Sequence, residues 1–240
     1  MTVAPRRTRA RRGDGELLRA DLLRVAEQLL VEAGEAAVTL RAVAARAGVS
    51  TPSVYLHFAD KAALVDAVAL SVWGQLARLI ATAAATSPDP FEALRLRGLA
   101  YIRFGLAHPV QYRLLMMRSP VPGAEDAELA AASDCFGHVV AGARACVDAG
   151  VFLGDPTALA LGLWAACHGC VSLLIAKPQF PWPADLDAFI EDTVRMAGMG
   201  TAVMSRLVGP PRPVSHVLPG QLDALAHHLA AASDQDQEPT

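Results

Sequence analysis

Residues 39–64 read TLRAVAARAGVSTPSVYLHFADKAAL, and this stretch decides the fold of the first part of the chain. Its first half places apolar residues at helical spacing, namely Leu40, Val43, Ala44 and Ala47, and Thr39 before them is placed to cap this helix. Gly48 suits the left-handed residue that ends a helix. Thr51 followed by Pro52 predicts the N-cap and first residue of a second helix. The stretch therefore predicts a helix-turn-helix, whose second helix can enter the major groove of DNA.

The same stretch resembles the DNA-binding helix-turn-helix of TetR-family transcriptional regulators. The resemblance rests on four segments: Thr39-Leu40, Ala44-x-x-Ala47-Gly48-Val49-Ser50, Tyr55-x-His57-Phe58 and Asp60-Lys61-x-x-Leu64. Pro52, Ala59 and Ala63 depart from the commonest choices of the family, although none of them removes a core or phosphate-facing group. The alternative is a helical hairpin without any role in DNA binding.

The predicted DNA-contacting residues of the helix-turn-helix fall into two groups, those that read bases and those that bind phosphates. Thr51 and Ser53 lie near the start of the second helix, where base edges are read, while Tyr55 and His57 suit phosphates. The resemblance implies that Lys61 and the helix start capped by Asp60 meet a DNA phosphate. The full predicted set is Thr39, Arg41, Ser50, Thr51, Ser53, Tyr55, His57 and Lys61, together with Arg9, Arg11 and Arg12 of the preceding segment.

Charge is distributed unevenly along the chain. Residues 1–61 carry ten Arg and Lys against seven Asp and Glu, a net +3, and the remainder carries eleven against seventeen, a net −6. Arg6, Arg7, Arg9, Arg11 and Arg12 lie in a segment without apolar periodicity, which predicts a disordered arm at residues 1–15. Such an arm can enter the minor groove or add nonspecific attraction to phosphate, and both readings stay open.

Alanine and leucine dominate the chain, and β-branched runs with period two are absent, so we predict an all-α fold. Residues 16–64 are the predicted DNA-binding domain, 65–208 a helical ligand-binding and dimerisation domain, and 209–240 a flexible tail. The first helix is expected over 16–34 and a long fourth helix over 61–85, with Leu64, Val68, Val72, Leu76 and Leu79 on its apolar stripe. Further helices are expected near 90–107, 111–117, 125–149, 155–177 and 184–207, and a short one within 218–232.

The larger domain resembles a subgroup of TetR-type ligand-binding domains that is marked by a Trp…His-Gly pattern. Trp164 with His168-Gly169 fits this pattern, as does the segment from Tyr101 to Met116. The resemblance supports the architecture and names no ligand, and we expect a small, largely apolar effector. The candidate pocket residues are Tyr101, Phe104, Tyr112, Met116, Met117, Phe136, Trp164 and His168, any of which can instead be ordinary core.

Residues 157–176 read TALALGLWAACHGCVSLLIA and carry no formal charge. By length and hydropathy this segment qualifies as a transmembrane helix, and the alternative is a helix buried on nearly all sides. The resemblance implies how such a helix is buried, because the last two large helices of each subunit form a four-helix dimer interface in that family. We predict the interface and no membrane partner.

Cys167 and Cys170 form a CxxC, but no second Cys/His pair completes four metal ligands, and a free cysteine is a common core residue. Phosphate-binding glycine motifs and nucleophile elbows are also missing from the sequence. We therefore predict no metal, no cofactor and no enzymatic activity.

These patterns lead to one main hypothesis and one alternative. The main hypothesis is a cytoplasmic homodimeric repressor that binds a palindromic double-stranded DNA operator and is released by a small molecule. The alternative is a membrane-tethered or effector-independent DNA-binding protein. The sequence names neither the operator nor the effector.

Overall fold

The computed structural model describes residues 14–118, 125–204 and 206, and also residues 217, 219–220, 222–224 and 226–227. The described residues up to Arg206 form one compact unit, and the later ones belong to a second. The arm with Arg9, Arg11 and Arg12 lies outside the described residues, as does much of the tail. Within the tail, residues 219–220, 222–224 and 226–227 are helical, where the short helix within 218–232 was predicted.

The all-α prediction is confirmed, because the described part of the chain up to Arg206 is helical and contains no strand. The helices are α1 Asp14–Ala33, α2 Leu40–Arg46, α3 Thr51–Tyr55, α4 Lys61–Ala84, α5 Pro90–Ala107, α6 Pro109–Met117, α7 Glu125–Asp148, α8 Pro156–Ala176 and α9 Leu186–Met204. A single 3-10 turn, Glu35–Ala37, separates α1 from α2.

Side-chain caps explain where several helices begin. The Thr39 hydroxyl accepts the Ala42 amide at 3.1 Å at the start of α2. The Asp60 carboxylate accepts the Ala63 amide at 2.8 Å at the start of α4. Both predicted caps are confirmed, and each satisfies one amide that the first helical turn leaves without a partner.

Of the two predictions for the turn between α2 and α3, the one for Gly48 is confirmed and the one for Thr51 is wrong. Gly48 has a φ of +68°, the left-handed conformation expected of it. The predicted N-cap Thr51 is wrong, because Ser50 holds that position with extended backbone and α3 begins at Thr51. The helix starts one residue early because Ser53 already donates its amide to the Ser50 carbonyl at 2.9 Å. Pro52, the second helical residue, has no N–H that needs a partner.

One apolar core extends through α1 to α6 and includes residues of α7, α8 and α9. Within it, the predicted stripe of α4 is correct up to Leu76 and wrong at Leu79, which is 43% exposed while Ile80 is buried. The buried row continues in steps of four because α4 packs in turn on α1, α5, α6 and α7. The predicted division at residues 64 and 65 therefore falls inside a shared core, and the domain boundaries remain a prediction.

Helix α5 approaches α8 closely at Gly105. A Cβ atom there would lie 2.5 Å from Cγ2 of Val171 and 2.9 Å from Cδ2 of Tyr112, both of them fully buried. Only a glycine permits this spacing, which brings Tyr112 on α6 beside α8. The polar side chains described below meet at this crossing.

Within the single chain, helix α8 is buried on one side only, and its burial on the other side by a dimer partner remains a prediction. Cys167, Cys170 and Val171 are buried, whereas Leu161 and Leu173 are about half exposed. Both α4 and α8 are long and apolar enough to cross a membrane by length and composition alone, a property that core helices of soluble proteins share. Helix α8 therefore has one face in the core and one apolar face outside it.

Candidate DNA interface and ligand pocket

The helix-turn-helix presents a polar surface around a small apolar core. Val43, Val54 and Phe58 are buried and hold α2 and α3 together. The predicted DNA-contacting side chains lie outside this core. Thr39, Arg41, Ser50 and Tyr55 are exposed, and Thr51, Ser53, His57 and Lys61 are half-buried.

Helix α3 has only five residues, so its outward side chains are close together. The hydroxyls of Ser50 and Ser53 are 2.7 Å apart and form a hydrogen bond with each other. Tyr55 is 56% exposed, and its neighbour Leu56 is 84% exposed. Sequence reasoning did not select Leu56, although an exposed leucine after Tyr55 lies on the same outward surface.

Two basic side chains of this unit differ in their partners. Arg46 forms a salt bridge with Glu32 on α1, with Nη2 2.6 Å from Oε1, and this bond lowers the pKa of Glu32. Arg41 is exposed and has no ion-pair partner among the residues the structure describes. Arg41 is therefore the side chain of α2 with a guanidinium free to meet a phosphate.

Lys61 is engaged within the protein. Its Nζ donates to the Glu35 carbonyl at 2.8 Å and to the Ala36 carbonyl at 3.4 Å. These bonds tie the start of α4 to the 3-10 turn and use two of the three ammonium donors. A phosphate at this helix start has the remaining ammonium donor and those first-turn amides of α4 that Asp60 leaves unbonded.

A second cluster of polar groups lies in the larger helical part, where α5, α6 and α8 meet. The Tyr112 hydroxyl is 2.7 Å from Nδ1 of His168 and 3.0 Å from Oγ of Ser172. The Tyr101 hydroxyl is 3.2 Å from the same Nδ1 and accepts Nε1 of Trp164 at 3.2 Å. Four predicted pocket residues are therefore in direct contact with one another.

Burial keeps this cluster neutral. Desolvation lowers the pKa of His168 below its ordinary 6.5 and raises the pKa of Tyr101 and Tyr112. Nε2 of His168 lies 3.3 Å from the Ser172 hydroxyl, so hydroxyl groups flank both ring nitrogens. Ser172 escaped the sequence prediction, although its position four residues after His168 places it on the same helical face.

Two more predicted residues extend the cluster. Sδ of Met116 is 3.9 Å from the Tyr101 hydroxyl. The Phe136 ring meets Trp164 edge-on, with centroids 5.9 Å apart. Helices α6 and α7 each contribute one side chain in this way.

The last two predicted pocket residues lie away from the polar groups. Phe104 is buried and packs its ring against His108 at 5.1 Å between centroids. Met117 is 55% exposed at the final residue of α6, where the helix leaves the core.

A cavity of about 70 Å³ lies beside the cluster and is bounded by α4, α5, α7, α8 and α9. Its apolar wall consists of Ile80, Phe91, Leu94, Val139, Leu163 and Val194. Tyr101 and Trp164 also line it, whereas His168 and Tyr112 lie behind them. Sequence reasoning missed the apolar wall because its members are spread over five helices that only tertiary packing brings together.

The cysteines behave as buried apolar residues. All four are free and buried. Desolvation raises the pKa of Cys135 and Cys146 to about 11 and that of Cys167 to about 12. Within the described parts of the chain, no three His, Cys, Asp or Glu side chains lie close enough to hold a metal ion. At neutral pH these thiols are protonated and therefore weak nucleophiles.

Two family models match the chain. The model described as bacterial regulatory proteins of the tetR family matches residues 22–68. The model described as the C-terminal domain of tetracyclin repressor-like proteins matches residues 94–197. No curated protein sequence matches the chain.

Solved structures share the fold over most of the chain. A protein of unknown function from Rhodococcus sp. RHA1 is 27% identical, with a TM-score of 0.68 over 78% of this chain and 95% of its own. A TetR/AcrR-family transcriptional regulator from Thermobifida fusca YX-ER1 is 21% identical, with a TM-score of 0.60 over 76% and 97%. A TetR-family regulator from Marinobacter aquaeolei VT8 is 19% identical, with a TM-score of 0.56 over 78% and 96%.

Proposed function

Because the chain belongs to the TetR family of bacterial regulatory proteins and so acts in DNA-binding transcription regulation, we propose that it is a ligand-responsive repressor. It binds a palindromic operator as a homodimer in the cytoplasm and is released by a small, largely apolar molecule. The observation that carries the proposal is a capped helix-turn-helix that shares one core with a cavity-bearing helical bundle. A regulator of this family has no catalytic role, and we propose none here.

The DNA side of the proposal rests on the exposed polar surface of α2 and α3. Thr51 and Ser53 read base edges, Tyr55 and His57 hold phosphates, and Arg41 adds a free guanidinium. Thr39 and Ser50 contribute hydroxyls at the two helix starts. Arg9, Arg11 and Arg12 of the arm add attraction to the phosphate backbone or the minor groove.

The dimer part of the proposal rests on an apolar surface of α8 and α9. Leu161 and Leu173 on α8 and Met196 and Met199 on α9 are all about half exposed or more. Apolar side chains of this number on two neighbouring helices are typical of a protein interface. A second copy of the chain covering this surface would place two helix-turn-helix units on one operator.

The ligand part rests on the cavity and the polar cluster next to it. Helix α4 contributes Ile80 to the cavity wall near one end and carries the Asp60 cap at the other. A ligand that widens the cavity can therefore displace α4 and change the distance between the two copies of α3, the helices that enter the DNA grooves in the dimer. It must bind the displaced state more tightly, because otherwise DNA affinity does not change.

Footprinting of the purified protein on its genomic DNA tests the proposal. We expect protection of a palindrome with half-sites about one helical turn apart. Protection lost on adding a cavity ligand supports the ligand-responsive repressor. Protection that no ligand alters supports the effector-independent alternative, and recovery of the protein only with membranes supports the tethered one.

A further inference from the structure

Three arginines border the cavity, and two of them form ion pairs. Arg95 binds Glu92 through Nε at 2.7 Å and Nη2 at 2.6 Å, and its Nη1 binds Glu191. Arg195 lies 3.9 Å from both Glu191 and Asp192. These two guanidinium groups therefore have carboxylate partners within the protein.

Arg97, the third arginine, has none. It lies on α5 in the cavity wall, and no carboxylate pairs with it among the described residues. The residue is half-buried, and its Nε is fully buried and has no hydrogen-bond partner. Desolvation lowers the pKa of Arg97, but a guanidinium keeps its charge in proteins. The wall of an apolar cavity thus holds a cation with an unsatisfied donor.

Such a group is costly unless an anion meets it. A buried charge without a partner destabilises a fold, and a buried unpaired donor adds its own desolvation penalty. A ligand carboxylate can remove both costs, because its oxygens accept from a guanidinium with matched geometry. A single negative charge suffices, since the other two arginines already have partners.

The rest of the cavity wall favours a ligand that is apolar apart from its charged group. Phe91, Leu94 and Leu163 present carbon atoms, and the polar cluster around His168 lies behind Tyr101 and Trp164. At about 70 Å³ the cavity is well below the ~300–1,000 Å³ of typical ligand pockets. A ligand longer than a few carbon atoms must therefore move the helices that form the wall, including α4.

We propose that this pocket binds a monocarboxylic acid, whose carboxylate pairs with Arg97 and whose apolar body contacts Phe91 and Leu163. The inference rests on the proposed function, since it names the class of effector for the same pocket. It also assigns Arg97 as the residue that determines specificity for an acid over its neutral analogues.

The experiment compares acids with their amides. Octanoate, benzoate and phenylacetate are each tested beside octanamide, benzamide and phenylacetamide by thermal shift and calorimetry. Wild-type protein is compared with Arg97→Met and Arg97→Lys, and with Arg103→Met, which removes an exposed arginine from the same helix. At least one acid should stabilise wild type more than its amide does.

The variants supply the second readout. Arg97→Met should weaken binding of that acid by about 10- to 100-fold, as expected for a charge-assisted hydrogen bond, and leave amide binding unchanged. Arg97→Lys should keep part of the preference, and Arg103→Met all of it. Without ligand, Arg97→Met should melt at a higher temperature than wild type, because it removes an unpaired, half-buried charge and its buried, unbonded Nε.

Equal binding of every acid and its amide to the wild type, or no binding of any acid, overturns the inference. So does an acid preference that survives Arg97→Met. Operator binding is measured on the same samples. If operator binding persists while the acid preference is missing, the inference alone fails; if operator binding is absent as well, the proposed function fails with it.

Discussion

Arg118, the residue that follows α6, donates a hydrogen bond of 2.5 Å to the Asp66 carboxylate on α4. The two side chains are only 12% and 15% exposed. This ion pair joins the DNA-proximal half of α4 to the end of α6, the helix that carries Tyr112. It therefore links the polar cluster to the helix that begins at the Asp60 cap.

The first prediction concerns this pair. Arg118→Met should destabilise the fold by about 3 kcal/mol or more, because it leaves the Asp66 carboxylate buried near Glu128 without a cation. Asp66→Asn should cost less, because the Glu128 carboxylate still interacts with Arg118. Urea unfolding measures this change. The control is Arg24→Met, which breaks an exposed pair with Asp21 and should cost no more than about 1 kcal/mol.

The double variant separates the pair from general damage to the helices. If the ion pair is responsible, Asp66→Asn combined with Arg118→Met should cost much less than the sum of the two single changes. Strictly additive losses would show that the two residues stabilise α4 and α6 independently.

The second prediction concerns pH. The folded pKa of His168 lies below its ordinary 6.5, so the unfolded chain takes up a proton before the folded protein does. The stability that follows is present above pH 6.5 and is lost as pH falls through the folded pKa. His168→Gln should remove up to about 1.4 kcal/mol per pH unit from the slope of unfolding free energy in that window.

Denaturant unfolding between pH 6.5 and about pH 5 checks this, with His138→Gln as the control that removes a histidine outside the cluster. A slope that is identical in wild type and His168→Gln would mean that His168 takes up its proton equally in both states.

The third prediction concerns the recognition helix. Tyr55→Phe and His57→Ala should weaken binding to all DNA sequences to a similar extent, since they remove phosphate contacts. Thr51→Ala and Ser53→Ala should instead change which bases are preferred, by about 1–3 kcal/mol at one position. Fluorescence anisotropy on operator variants measures both, with Arg113→Ala on exposed α6 surface as the control. Wild-type affinity and preference in all four variants would refute the assignment of α3 as the recognition helix.

The fourth prediction concerns the outer surface of α8. A Cβ at Gly162 or Gly169 meets nothing within 4 Å inside the single chain. Gly162→Leu or Gly169→Leu should therefore leave the monomer fold intact but overpack a dimer interface, at about 1–3 kcal/mol per site. Sedimentation should show a dimer for wild type and a shift towards monomer for the variants, with Gly137→Leu, open on α7, as the control. Wild type that sediments as a monomer would contradict the dimer.

The helices could be predicted largely because their boundaries are local. Thr39 and Asp60 cap helices with their own side chains, and Gly48 ends one by its own conformation. Each signal lies within a few residues of the boundary that it sets. The N-cap is Ser50 and not the predicted Thr51, because the Ser53 amide bonds to the Ser50 carbonyl. That bond depends on the geometry of the whole turn, which no single residue signals.

The candidate pocket was predictable only in part. Tyr101, Tyr112, Trp164 and His168 were selected by resemblance, and the structure brings them together. Arg97 could not be selected, because on α5 alone it resembles any solvent-facing arginine of an amphipathic helix. Its partial burial arises from contacts with other helices, and the sequence gives no local signal for those contacts.

The close crossing at Gly105 illustrates the same limit. A glycine inside a helix reads as a weak point of that helix, at about 1 kcal/mol relative to alanine. The partner side chains of Val171 and Tyr112, which make it necessary, lie on two other helices. Helix propensity alone therefore suggests that Gly105 weakens α5, although Gly105 is needed for α5 to pack against Tyr112 and Val171.

The most direct test of the central claim is the affinity of the purified protein for its footprinted genomic site relative to a scrambled duplex at physiological salt. A dimeric operator-binding regulator should bind the genomic site at least about 10³-fold more tightly, with two chains per site. Equal affinity for both duplexes would contradict the account.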